Sequence, residues 1–243
     1  VDLFTLPPLA LLLDLATRAL LALTTLLDPL AGTAAAALAV VVVTLAARLA
    51  LIPVGVSQAR AEQTRARLAP RLRALRERWG RTPERLQRET MRLYRDEGTS
   101  PLAGCLPVLA QAPVVGLLYA VFLHPTVGGQ ANPLLAHELL GVPLGRSLIG
   151  ALSTGTTDAA TLAVIGTLVA VVALVAEATR RLLRPASDPT APAWMTGMVG
   201  TLHFTTAVVA AFVPVAAALY LAVTTVWTLA QRLLLRRRYP LPS

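Results

Sequence analysis

Apolar and charged runs alternate along this chain on a scale of twenty to forty residues. Residues 33–52 are almost entirely Ala, Val, Leu and Ile, with one charge, Arg48. Twenty residues rising about 1.5 Å each match a hydrocarbon core of about 30 Å. Residues 32–58 are therefore predicted as a first membrane span. Residues 59–98 carry twelve arginines and six acidic residues, too many charges for lipid. Leu68, Leu72, Leu75 and Trp79 recur there at helical spacing, the seam of a helix that packs on one partner. Gly80-Arg81-Thr82-Pro83 breaks that helix, with Thr82 predicted as N-cap, Pro83 at the first helical position and Arg85 two residues on. Leu86, Thr90, Leu93 and Tyr94 continue the stripe on the return. The segment reads as an antiparallel helical hairpin whose first arm should kink at Pro70, at a cost of about 3 kcal/mol.

The second span is predicted over 99–123, with Gly104, Pro107, Gln111, Pro113 and Tyr119 inside it. Prolines persist at that depth only where neighbouring helices or water satisfy the freed carbonyls. Residues 124–158 form a Gly-, Pro- and Thr-rich loop on the other side, and residues 159–180 a third span. A linker with three prolines follows at 181–193. Residues 194–235 carry no charge before Arg232, about twice the length that one crossing needs, so the chain must turn back once. Pro214 is the break, giving a fourth and a fifth span, and 236–243 is a basic tail. The apolar stretch within 1–31 is interrupted by Asp14 and Arg18 at i and i+4. Such a pair suits a helix lying in the outer interface. A cleaved leader would want a charged n-region, and Asp2 is the only charge before Asp14.

Composition agrees with this division. The chain is 55% apolar and 14% charged, against about 25% charged for an ordinary soluble domain. All 22 basic residues are arginine, and 19 of them fall in the hairpin, after the third span or at the C-terminal end. By the positive-inside rule that side is cytoplasmic, which places the N-terminus outside and the C-terminus inside. The lone Cys105 reads as a small buried hydrophobe, and no spacing suggests a metal site, a cofactor or nucleotide hydrolysis. His124 and His137 read as loop residues, with no third ligand nearby.

Candidate chemistry lies in the polar positions of the spans. An arginine in hydrocarbon costs about 2.5–3.5 kcal/mol on translocon scales, so Arg48 is either functional or snorkelling to the nearby boundary. Residue physics leaves both readings open. Tyr220, Thr224, Trp227 and Gln231 form one stripe on the last span, and Met198, Thr201 and Thr205 another on the fourth. Threonines in membrane helices commonly bond their own backbone, the competing reading for each one. Together with Arg48 and Gln111, these residues could line a polar concavity open to the cytoplasm. In the hairpin, Arg71, Arg73, Arg76, Arg81 and Arg85 are either a solvated face or a docking surface.

The stretch WGRTPERLQRETMRLYRDEGTSPLAGCLPVLAQAPVVGLLYAVF resembles the hairpin return helix and following span of the YidC-type membrane protein insertases of the Oxa superfamily. The resemblance extends to Arg48 before Pro53, to Pro70, and to FVPVAAALYLAVTTVWTLAQ in the last span. It departs at Ser100, at Val215-Ala216 and at Leu221, where the family usually has Asn, a Gly and an aromatic residue. The resemblance implies an all-α polytopic protein of the bacterial plasma membrane, with five spans around a hydrophilic groove and no enzymatic step. Arg48 would hold the polar flank of a nascent membrane protein while the apolar helix leaves sideways into lipid. Gln111, Thr201, Thr205, Tyr220, Thr224 and Gln231 would line the groove. Partners would be nascent membrane proteins and the bilayer, with the ribosome and a general translocon as candidates and no role for DNA. Two other readings remain. A secondary transporter of an anionic solute would want internal repeats, of which none is visible, and a scaffold would use the hairpin without inserting anything.

Overall fold

A computed structural model describes residues 7–98, 116, 120–121, 126–127, 130–183 and 204–240. Cys105, Gln111, Tyr119, His124, Met198 and Thr201 lie outside them, as do most of the expected second span and the linker at 184–193. The chain divides into two compact units, one of Val1–Ala50 with Val114–Leu229, the other of Leu51–Pro113 with Ala230–Ser243.

The first unit opens with α1 (Pro7–Ala31), a short 3-10 turn (Gly32–Ala34) and α2 (Ala35–Ala50). Gly32 sits at φ +51, with nothing near the place a Cβ would occupy. The turn thus uses glycine for its left-handed backbone and not for space. Helices α1 and α2 pack on each other, with Leu13, Leu20, Ala36, Ala37, Ala39 and Val40 in the core. The alanines let the backbones come close, as small residues do between membrane helices. Asp14 and Arg18 of α1 form an ion pair of 2.9 Å on the exposed side.

Two short antiparallel ladders and a further helix follow. Thr126–Val127 (β1) pairs with Gln130–Ala131 (β2), and Glu138–Leu139 (β3) with Val142–Pro143 (β4). Leu140 and Gly141 between β3 and β4 both have positive φ, the requirement of a two-residue hairpin turn. Buried Asn132 donates to the Val121 carbonyl at 2.6 Å and accepts from the Leu134 N–H at 3.1 Å, which holds this loop to the backbone at Val121. After α5 (Leu148–Ser153), α6 (Ala159–Leu182) starts on Asp158, whose Oδ1 accepts from the Thr161 N–H at 2.7 Å. Hydrogen bonds from Thr161 hold the Asp158 carboxyl below its ordinary range, helped by Arg146.

Helix α7 (Thr205–Phe212) packs on α6 and ends where Val213 turns extended; after Pro214, α8 (Val215–Arg238) begins. A helix start leaves amides unsatisfied. Here the loop supplies acceptors: Val215 donates to the Arg146 carbonyl at 2.9 Å and Ala216 to that of Leu144 at 3.0 Å. Three stretches are long and apolar enough to cross a membrane, Leu13–Ala50, Ala159–Leu182 and Val215–Arg238. The first contains α1 from Leu13 onward, the Gly32 turn and α2.

The second unit is built on α3 (Ile52–Trp79) and α4 (Pro83–Asp96). Helix α3 begins well before the charged segment, at Ile52, and runs through Pro70 as one helix. Thr82 occupies the N-cap of α4 with Pro83 at N1, but its hydroxyl makes no cap hydrogen bond. Its carbonyl accepts instead from Arg85 and Leu86 at 3.1 and 3.0 Å. Leu68 is fully buried and Leu72, Leu75, Leu86 and Leu93 are half-buried, the sheltered seam of the pair. Glu97, just past α4, accepts from Arg67 at 2.8 Å and from Arg71 at 2.6 Å and ties the two arms together.

Candidate functional site

In the first unit Arg48 stands in the last turn of α2, half-buried. A cation there meets the negative end of the helix dipole. The same holds for α6, which ends on Arg180 and Arg181, and for α8, which ends on Arg236, Arg237 and Arg238. Glu177 pairs with both Arg180 and Arg181, so that end of α6 carries less net charge than its arginines suggest.

The polar stripe of α8 lies on its sheltered side. Tyr220 is 5% exposed and belongs to the apolar core, and Thr224 and Trp227 are half-buried, while Val226 between them is 46% exposed. Most span threonines behave as membrane threonines commonly do. Thr44, Thr167, Thr179 and Thr228 donate to the carbonyls of Val40, Ala163, Val175 and Thr224 at 2.6–2.8 Å. Thr224 differs: its Oγ1 is buried and makes no hydrogen bond among the described residues. A buried hydroxyl left so costs about 1–3 kcal/mol. Its hydroxyl thus has hydrogen-bonding capacity that no described residue takes up. Thr205 is exposed at the start of α7. Gln111 and Thr201 lie outside the described residues.

Gln231 belongs to the second unit, where its side-chain amide covers Gly55 of α3. A Cβ on Gly55 would come within 2.0 Å of the Gln231 Nε2. The five hairpin arginines also separate. Arg71 is spent on Glu97, and Arg85 lies with its Cζ 4.0 Å from the Trp79 ring centroid, with Arg78 at 5.2 Å. Each such contact is worth about 0.5–1 kcal/mol at an exposed site. Arg73 and Arg76 also have partners, and Arg81 is exposed in the turn. An open groove of about 400 Å³ runs between the arms over Ala74, Leu75 and Leu93, and its rim carries both signs, Arg78 and Arg92 against Glu89 and Asp96. Sequence reasoning missed the C-terminal contacts of α3, where Arg60 meets Tyr239 and Gln63 meets Pro240. Residues so far apart in the chain carry no local signal of contact.

The profile of the 60Kd inner membrane protein family matches residues 27–241, nearly the whole chain. The chain belongs to this family, that of the YidC and Oxa proteins. With its apolar helices it is a multi-pass protein of the cell membrane. Among curated relatives, the membrane protein insertase YidC of Streptomyces avermitilis is 29% identical over 223 residues, 85% of this chain and 52% of that protein. YidC 1 of Halalkalibacterium halodurans is 42% identical over 91 residues, 36% of this chain and 35% of the relative. YidC of Clostridium perfringens is 38% identical over 79 residues, 32% and 33% of the two chains. The alignments thus cover about half or less of each of these relatives. The family match begins at residue 27, so most of α1 precedes it, while α2 with Arg48, the hairpin and all of α8 fall within it.

Proposed function

We propose that this YidC-family chain inserts nascent membrane proteins from the cytoplasmic side, through a hydrophilic groove bordered by five spans. The observation that carries the reading is the family match over both the Arg48 helix and the arginine-rich hairpin. Orientation draws on the helix ends. Helices α2, α6 and α8 each finish in arginine, and the positive-inside rule turns such ends to the cytoplasm, with the N-terminus outside and α1 at the outer interface.

In this reading Arg48 holds the acidic or polar flank of the client, Thr224 offers an unsatisfied hydroxyl, and Gln111, Thr201, Thr205, Tyr220 and Gln231 complete the polar lining. The apolar helix of the client then moves into lipid, driven by burial of its side chains at about 25 cal/mol per Å². A wet groove shortens the hydrocarbon path for polar residues, so no covalent step or cofactor is needed. The hairpin receives the client, from the ribosome or beside a general translocon, with Arg73, Arg76 and Arg81 toward the partner and Arg71 and Arg85 shaping the hairpin.

The test is insertion into proteoliposomes. A charge-assisted hydrogen bond is worth about 1.5–3 kcal/mol, so Arg48→Ala should slow insertion of an acidic-tailed single-span client about tenfold or more, with Arg48→Lys in between. A client with an uncharged tail should be affected less. Wild-type insertion of the acidic-tailed client by Arg48→Ala would overturn the reading.

A further inference from the structure

The second unit joins two segments that are far apart in the chain, the hairpin and the last residues from Ala230 onward. Their contacts run up one side of α3. At its base, Gln231 lies over Gly55 so closely that any side chain there would displace the amide. About two turns along α3, Arg236 pairs with Glu62 at 3.1 Å, with only 26% of the Arg236 side chain exposed. Beyond the end of α8, the Arg60 guanidinium lies 5.6 Å from the Tyr239 ring centroid and donates to its hydroxyl at 3.3 Å. The Gln63 amide donates to the Pro240 carbonyl at 3.0 Å. Arg60, helped by Arg238, also holds the Tyr239 phenol below its ordinary range.

These contacts differ in chemistry: a close approach that needs glycine, an ion pair, a cation over a ring and an amide on a backbone carbonyl. A random crossing of two basic segments would not bring Arg60 and Arg236, both cations, onto specific partners of the opposite segment. Gly55 supports this. It lies inside a helix, where glycine weakens the helix relative to alanine, and its φ is not in the left-handed region, so close approach of Gln231 is its use.

From this we infer that the end of α8 and the Tyr239-Pro240 segment form a strap that fixes the base of α3, with Gly55, Gln231, Arg60 and Tyr239 as positioning residues that aim the hairpin. The inference rests on the proposed role of the hairpin in receiving clients. Without the strap, the hairpin arms would keep their own seam and their Glu97 ties but would swing at the base.

The experiment measures that swing apart from insertion. Spin labels at Arg81→Cys in the hairpin turn and Arg237→Cys near the end of α8, in a Cys105→Ser background, give a distance distribution by pulsed electron resonance in nanodiscs. The full chain should give a narrow distribution. Tyr239→Ala, and separately Gly55→Ala, should each broaden it at least twofold. Tyr239→Phe, which keeps the ring under Arg60, should restore most of the narrowness. Gly55→Ala keeps the helix at least as stable, so a broadened distribution with an unchanged melting temperature separates aiming from folding. In proteoliposomes the same variants should lower client delivery several-fold while Arg48 is intact. Distributions as narrow as in the full chain for both Tyr239→Ala and Gly55→Ala would overturn the strap. Unchanged insertion after deletion of the hairpin would instead overturn its receiving role and leave the distance result to judge the strap alone.

Discussion

Helices α6 and α3 are of similar length, 24 and 28 residues, yet they are held by opposite means. Helix α6 has no charge between Asp158 and Glu177, and its buried side is Val164, Ile165, Leu168, Val172 and Ala176 against the core. Helix α3 carries nine charged residues and fully buries only Leu68 among its leucines, and it is held by Glu97, by Arg85 over Trp79 and by the strap. Apolar packing is hard to perturb with salt and intolerant of volume. Ion pairs at the surface tolerate volume and respond to salt. On the proposed function each would have a use, a fixed frame beside the groove and an arm that receives clients.

The sharpest way to break this comparison is to add the same volume to each. Ala176 in α6 is 7% exposed, whereas Ala74 in α3 is exposed. Ala176→Leu should cost about 1–3 kcal/mol and lower the melting temperature in detergent, while Ala74→Leu should stay within about 0.5 kcal/mol. Equal losses would remove the distinction. A smaller effect is expected at Glu97. Its two arginine partners are each 64% exposed, so Glu97→Gln should cost about 0.2–1 kcal/mol at low salt and almost nothing in 1 M salt. Hydrogen exchange of α3 and α4 amides at the two salt concentrations reads this, and α6 amides should not respond. The smallest effect is at Asp158. Its folded pKa is lowered, so the cap stabilises α6 above the ordinary carboxylate value of about 4 and that contribution is lost as pH falls through the folded value. Melting curves from pH 6 to pH 2 should therefore fall less steeply for Asp158→Asn than for the wild type. An identical slope would remove Asp158 from the account.

The apolar helices were the most legible part of this molecule, because length and composition alone decide whether a helix can cross a bilayer. Residues 159–180 are nearly all apolar, and α6 spans them. Pro214 marks the gap between α7 and α8 because its ring offers no N–H to continue a helix. Local chemistry was less certain. Thr82 stands at the start of α4, yet its hydroxyl makes no cap bond, since position makes such a bond available without requiring it. The proposed polar site can be named from the sequence as a set of residues but not as an arrangement. Spacing along α8 puts Tyr220, Thr224 and Gln231 on one stripe, but only coordinates separate a core tyrosine, an unsatisfied hydroxyl and an amide resting on Gly55. Arg48 kept two readings for the same reason: depth along one helix does not say what surrounds a guanidinium, and family membership was needed to favour one.

The carbonyls of Leu144 and Arg146 that receive the first amides of α8 carry a consequence for leakage. A membrane helix that starts at a proline normally needs solvent at its start, and solvent that reaches inward offers protons and ions a wire. Peptide oxygens from the residues after β4 take that place here, so the first two amides of α8 need no water to satisfy them. On the proposed reading, in which clients enter from one face of the bilayer alone, the opposite face has to stay watertight, and these two backbone hydrogen bonds would form part of that stopper.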